Sequence, residues 1–322
     1  MNEKQIIKIF FPDEQEPSFN AGDDNHVAFI ADLAIRFPKN KDVIELYEQE
    51  AKVLSELKKQ NIIKTKIPEM EVCKYSVVRG DKIKETVFTM HEKIEGVPYR
   101  DLSEEKKHRF FENISEDVAN FLVELHSAKN TFNLQQENPT SSADYLLGRK
   151  DDKDILVDYL SKNERYSKLV KDLEETISKV NGYKDSGIHV VTHYDLHEGN
   201  ILIDPEKGRL SGVIDFDTVS YRDFNEEFYA ICCENPGSEL GLAIKEKYEE
   251  KTNRTVDTEY LLNLKKINLY DKILETIKDR QNKNSLEISE KDQKAINGYV
   301  DKIQHIRALS NKTDGIESAL IL

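Results

Sequence analysis

The chain has 322 residues, 38% hydrophobic and 34% charged, and 47 Lys plus Arg against 61 Asp plus Glu give a formal net charge of −14. This length is enough for two lobes with substantial cores, and the negative balance disfavours nucleic-acid phosphate as a partner while favouring a cation. No apolar run approaches the roughly 18–20 residues of a membrane span, and three cysteines without metal spacing suggest a reducing, cytoplasmic setting.

At the N-terminal end, the run Ile6 to Phe11 is interrupted by Lys8 and is too short for a signal peptide. A turn is expected around Gly22, between Phe19 and the apolar stretch Val27 to Ala31. Leu33 to Phe37 then reads as a strand, with Ile35 and Phe37 on one face and Ala34 and Arg36 on the other. From Asp42 to Lys59, a helix is predicted by the apolar stripe Val43, Leu46, Tyr47, Val53, Leu54 and Leu57. Glu50 falls inside that stripe. A carboxylate aimed at a core is costly unless paired, and Arg36 is its natural partner; the alternative is that Glu50 reaches water at the stripe's edge.

Gly96 and Pro98 end the segment that starts at Phe88, and Ser103 caps the next helix with Glu104 and Glu105 in its first turn. That helix is expected to bury Phe111, Ile114, Val118, Phe121, Leu122 and Leu125, with His126 as a core-edge or capping residue.

The segment Val190 to Asp217 carries the chemistry. Asp195 lies two residues after His193, and Asn200 follows Asp195 by five. The apolar run Ile201 to Ile203, the turn Asp204-Pro205-Glu206-Lys207-Gly208 and the run Leu210 to Ile214 form an antiparallel hairpin pattern. Closing it places Asn200 beside Asp215 at the open end. An amide oxygen and a carboxylate at one point suit Mg²⁺, which takes few protein ligands and fills its shell with substrate phosphates. Asp195, just upstream, is placed to accept a proton from an attacking hydroxyl. The outline is that of a kinase site.

His193-x-Asp195-x-x-x-x-Asn200 followed by Ile214-Asp215-Phe216-Asp217 resembles the aminoglycoside phosphotransferase family, small-molecule relatives of protein kinases. The resemblance implies an α+β, two-lobed protein-kinase-like fold. Its small N-lobe, residues 1–93, would hold an antiparallel sheet plus a helix and bind nucleotide. A larger, mainly helical C-lobe, residues 94–322, would carry catalysis and substrate. Asp195 would be the catalytic base, and Asn200 and Asp215 the Mg²⁺ ligands. Arg36 stands where the family has its phosphate-binding lysine, with Lys39 as the alternative phosphate contact and Glu50 as ion-pair partner. The turn at Gly22 would sit over the phosphates, unless it is an ordinary hairpin turn. Phe88 to Pro98 would be the last N-lobe strand and its hinge, and hinge backbone of Glu92, Lys93 and Ile94 would meet the base of ATP or GTP.

Asn120 to Ser127, Phe37-Pro38-Lys39 and Ile67-Pro68-Glu69 are most similar to the 2″-O-phosphotransferase branch. An aminoglycoside acceptor, phosphorylated at its 2″-hydroxyl with antibiotic resistance as the result, is therefore implied. From Asp223 to Glu250 there are eight acidic residues against two lysines. Glu234 and Glu239, with Asp217, are the expected carboxylates for a cationic substrate, and a solvated helix face is the plain alternative. Asp223 with Glu227 would instead belong to a structural motif that follows the metal site in these kinases. Thr258 to Arg307 is helical by pattern, broken at Gln281 to Asn284, and the apolar tail Ser318 to Leu322 is left open. The chain is expected to act as a monomer. A metabolic kinase for choline, a fructosamine or homoserine would share the motif. A pseudokinase that only binds nucleotide would predict a broken catalytic set.

Overall fold

A computed structural model describes residues 3–14, 16–21, 25–40, 42–79, 82–131, 134, 150–234, 239–282, 288–310 and 319–320. The chain divides into two compact units, Met1–Leu134 with Glu198–Val219, and Gln135–His197 with Ser220–Leu322. The expected cut between residues 93 and 94 falls within the first of these.

The first unit is built on strands β1 (Ser18–Ala21), β2 (Asn25–Ile30), β3 (Leu33–Pro38), β4 (Glu71–Arg79) and β5 (Lys82–Glu92). They form one antiparallel sheet in the order β1-β2-β3-β5-β4. Alternation along β3 works as the pattern requires. Ile35 and Phe37 join Ala28, Ile30 and Phe88 on one face, and the run at the chain start covers them as helix α1 (Glu3–Phe10) through Ile6 and Ile7. Arg36 turns the other way, toward α2 (Asp42–Gln60). On α2 the positions Val43, Tyr47, Glu50, Leu54 and Leu57 are buried at alternating spacings of four and three. Leu46 was expected in this stripe but is 41% exposed; it sits one residue short of Tyr47 and so falls outside the arc that meets the sheet.

The same unit continues with β6 (Val97–Pro98), α3 (Glu104–His126) and the hairpin β8 (Ile201–Asp204) and β9 (Arg209–Val213). Ser103 caps α3 as expected, its Oγ accepting the Lys106 N–H at 3.4 Å. Phe110, and not the expected Phe111, is the buried aromatic at the start of α3. The reason lies in the hairpin turn: at Gly208 an added Cβ would fall 2.1 Å from the Phe110 ring. Asp204 organises that turn, its Oδ1 accepting the N–H groups of Glu206 and Lys207 at 3.0 Å and its carbonyl that of Gly208 at 2.8 Å. Gly208 has φ +63°. Asp117 of α3 ties the hairpin down by accepting from Arg209 Nε at 2.7 Å and from the Leu210 N–H at 3.1 Å.

The second unit contains α4 (Lys150–Lys162), α5 (Ser167–Asn181), α6 (Glu239–Thr252), α7 (Thr258–Asn282) and α8 (Glu290–Ser310), with β7 (His189–Thr192) paired antiparallel to β10 (Ser220–Asp223). The predicted stripe of α7, from Leu261 to Ile277, is its buried core face. Asp172 of α5 is buried and satisfied by Lys266 Nζ at 2.7 Å and Tyr270 Oη at 2.9 Å. Cys232 and Cys233 are small buried residues of a π turn, Ala230–Glu234. Of the apolar tail, Ala319 and Leu320 are buried, and the Leu320 carbonyl accepts from the buried Lys265 Nζ at 2.5 Å.

Gly208→Ala should destabilise the protein by about 1–3 kcal/mol, because the new Cβ meets Phe110 in a conformation that L side chains rarely adopt. Pairing it with Phe110→Ala in a urea-unfolding double-mutant cycle should recover part of the loss. Strict additivity would show that the clash is not its source.

Candidate active site

The motif residues fall in both units: Arg36, Glu50, Asn200 and Asp215 in the first, Asp195 in the second. In the first, β3 and α2 bring Arg36 and Glu50 together as the sequence reading expected. Arg36 Nη1 lies 2.9 and 2.8 Å from the two Glu50 oxygens, and Glu50 is only 1% exposed. Arg36 Nη2 reaches Asp215 Oδ1 at 3.1 Å and stands 3.7 Å from Asp217 Oδ2. The Phe216 N–H donates to Glu50 Oε1 at 3.1 Å, which fastens the motif segment to α2.

Burial pushes the Glu50 carboxyl up from its ordinary value, against the pull of Arg36 and the Phe216 N–H. Three N–H bonds converge on its oxygens, and the carboxylate is the form they satisfy. Burial works against the Arg36 charge, but Glu50, Asp215 and Asp217 hold the guanidinium above its ordinary value. Lys39 is exposed just past β3. Arg36 is thus the cation that serves Glu50 and also faces the motif carboxylates. Thr89, opposite Arg36 in the β3–β5 register, carries the one buried side-chain oxygen among the described residues without a partner.

The hairpin brings Asn200 and Asp215 to its open end. Ile201 pairs with Val213, and the Ile214 N–H donates to the Asn200 carbonyl at 3.1 Å. Asn200 is buried, and the Asp215 side chain is 42% exposed at φ +69°. Among the described residues no group of three or more His, Cys, Asp or Glu could hold a metal alone. An amide and one or two carboxylates are the hard oxygen set that suits Mg²⁺ shared with phosphates.

Glu92 ends β5, the Lys93 N–H is engaged by the Asp32 carbonyl at 2.7 Å, and Ile94 packs over Gly212. Glu92, Lys93 and Ile94 themselves line a cavity of about 300 Å³, together with Leu57, Ile63, Lys66 and Pro68, and neither Arg36 nor Asp215 borders it. The expected turn at Gly22 lies outside the described residues.

In the second unit, β7 runs into His193, Tyr194 and Asp195. Glu227 is fully buried and accepts two successive backbone N–H groups, from His193 at 2.7 Å and from Tyr194 at 3.2 Å. Tyr194 has φ +66° and lies under the Arg222 guanidinium, 3.7 Å from its ring centroid. Arg222 is itself held by Ser220 Oγ at 2.6 Å and Glu226 at 3.0 Å. The Asp195 N–H donates to His193 Nδ1 at 3.3 Å, and His197 Nε2 stands 3.8 Å from Asp195 Oδ2.

Asp223 and Glu227, expected to belong to a structural motif, each accept backbone N–H groups. Asp223 accepts the Ser186 N–H at 2.6 Å and the Asn225 N–H at 2.9 Å. Sequence reasoning did not single out His197 or Arg222. The only available signal for His197 was its place two residues after Asp195. Glu239 is exposed at the start of α6, and the side chain of Glu234 lies outside the described residues.

The sequence matches the phosphotransferase enzyme family over residues 18–259. The chain belongs to that family. It is a small-molecule phosphotransferase. Curated proteins offer no match.

Solved structures of similar fold include the GDP and kanamycin complex of APH(2")-IIia, with TM-score 0.64, 18% identity, and 96% of this chain and 98% of that one covered. The streptomycin–ATP complex of APH(2")-IIa matches with TM-score 0.53, 19% identity and coverage of 84% and 90%. The macrolide 2'-phosphotransferase of Brachybacterium faecium matches with TM-score 0.58, 14% identity and coverage of 91% and 96%. With the antiparallel sheet of the first unit and the helices of the second, these likenesses give the kinase-like fold expected from the motif. No described helix is long and apolar enough to cross a membrane.

Glu50→Ala would leave Arg36 buried without its main partner and should cost about 3–5 kcal/mol in urea unfolding. Lys39→Ala, on the surface, should stay within about 0.5 kcal/mol. Equal losses from the two would refute the central place given to the pair.

Proposed function

We propose that the protein transfers the γ-phosphate of ATP or GTP to a hydroxyl of a cationic aminoglycoside, at the 2″ position, and so confers resistance. The observation that carries this reading is the Arg36 fork, which joins a fully buried carboxylate on α2 to Asp215 of the metal motif. Such an arrangement suits phosphate held next to a metal-binding carboxylate.

In the proposed reaction Asp195 orients the acceptor hydroxyl and takes its proton. The hydroxyl oxygen bonds to the γ-phosphorus as the bond to the β-bridging oxygen breaks, and the nucleoside diphosphate leaves. Glu227 keeps Asp195 in place by gripping the backbone just before it. Arg36 supports the phosphates while Glu50 fixes its orientation. Mg²⁺, held by Asn200 and Asp215, would neutralise charge on the β- and γ-phosphates. GDP, ATP, kanamycin and streptomycin in the similar structures support this choice of donor and acceptor classes.

The acidic stretch from Asp223 to Glu250 supports a polycation less than its composition suggests. Glu226 pairs with Arg222, Glu227 binds backbone, Asp223 caps a turn, and Glu249 engages Lys245 at 3.0 Å. The exposed carboxylates that remain are Glu239, Glu246 and Glu250, with Glu234 as a further candidate. This internal pairing, together with the likeness to the macrolide enzyme, favours as second reading an acceptor of lower charge, either a macrolide or a metabolic alcohol.

Asp195→Ala should abolish transfer and leave nucleotide binding close to wild type, and EDTA should stop turnover reversibly. Wild-type turnover in either case would refute the assignment of base or metal. Assayed across aminoglycosides, macrolides, choline and sugar amines with both donors, the protein should turn over on an aminoglycoside, and Glu239→Gln should raise its KM for that acceptor more than for nucleotide, with the difference shrinking as salt rises. Turnover on macrolides or metabolic alcohols alone would establish the second reading.

A further inference from the structure

Tyr47 stands one helical turn before Glu50 on α2 and is fully buried. The core contact would be met by phenylalanine, so the hydroxyl calls for its own explanation. Its Oη donates to Asn25 Oδ1 at 2.5 Å, and the Arg36 guanidinium lies over its ring, 5.3 Å from the centroid. Burial pushes the phenol up from its ordinary value, against the pull of Arg36, and it remains a neutral donor.

Asn25 is the first residue of β2, buried at 8% exposure, and its register partner on β3 is Pro38. Proline brings no N–H to a ladder, so pairing of β2 with β3 lacks a donor at the end where β2 begins. Tyr47 anchors that end from the helix instead. One side chain therefore touches both the start of β2, which follows Gly22 in the sequence, and the cation paired with Glu50.

We propose that Tyr47 is a positioning residue for the nucleotide, fixing Asn25 through its hydroxyl and Arg36 through its ring. The inference rests on the reading above that a nucleoside triphosphate binds beside Arg36. Removing the hydroxyl loosens Asn25 at the start of β2, which stays paired with β1 through His26, while leaving the Arg36–Glu50 pair and the packing of α2 intact. Nucleotide affinity should then fall without a matching loss in acceptor binding.

The test is calorimetric binding of Mg-ATP and Mg-GTP to the full chain without acceptor, together with steady-state kinetics. Tyr47→Phe should weaken binding of the preferred nucleotide about three- to tenfold, since a buried acceptor loses its donor. The nucleotide KM should rise by the same factor while the acceptor KM stays unchanged. Asn25→Ala should reproduce the effect, and the double variant should be no worse than the poorer single one.

Wild-type nucleotide affinity in either Tyr47→Phe or Asn25→Ala would overturn the proposal, as would additive losses in the double variant. A purely structural role would lower the melting temperature and move both KM values together. If the unaltered protein bound neither nucleotide, the functional reading itself would fail, and this inference with it. Wild-type binding that Tyr47→Phe leaves intact would sink the inference alone.

Discussion

The buried ion pair between Arg36 and Glu50 is the constraint on which the rest of the first unit depends. Two charges taken from water cost several kcal/mol each unless their hydrogen-bonding capacity is nearly filled. Here the filling is shared among segments far apart in the chain. The strand gives the guanidinium, the helix the carboxylate, the motif segment the Phe216 N–H, and Asp215 a second acceptor. No one of them can move without exposing a charge inside the protein. The pair therefore locates α2 on the sheet and the motif segment on α2.

A parallel device operates in the other unit. Tyr194 and Asp215 are motif residues with positive φ and a side chain, a conformation costing on the order of 1–3 kcal/mol that persists only where its surroundings over-determine it. In both cases a buried glutamate accepts backbone N–H bonds at that point. Glu227 takes those of His193 and Tyr194, and Glu50 takes that of Phe216 beside Asp215. Strain at Tyr194 and at Asp215 is thus opposed by one kind of clamp used twice.

Much of this was legible in the sequence, but for unequal reasons. The faces of β3, the hairpin around Gly208 and the oddity of Glu50 within an apolar stripe follow from periodicity and turn chemistry, which act over a few residues. Leu46 and Phe111 were misjudged because periodicity gives an angle around a helix and not the neighbour at that angle; Gly208, almost a hundred residues away, selects Phe110. Glu227 was read as structural, but the N–H groups it accepts and the Tyr47–Asn25 bond were not legible, since their partners are backbone groups or residues brought near only by folding. Charge counting along Asp223 to Glu250 overestimated the free carboxylates, because a count does not reveal which acids already have internal partners.

Arginine at position 36 also sets the chemical reactivity of this pocket. An ammonium in the same pair would deprotonate a small fraction of the time and become a nucleophile, which is what acylating and sulfonylating reagents exploit. A guanidinium held above its ordinary pKa by three carboxylates offers no such form. Covalent probes that depend on an amine at this point would find none, and reagents meant to capture the protein must aim at a different side chain.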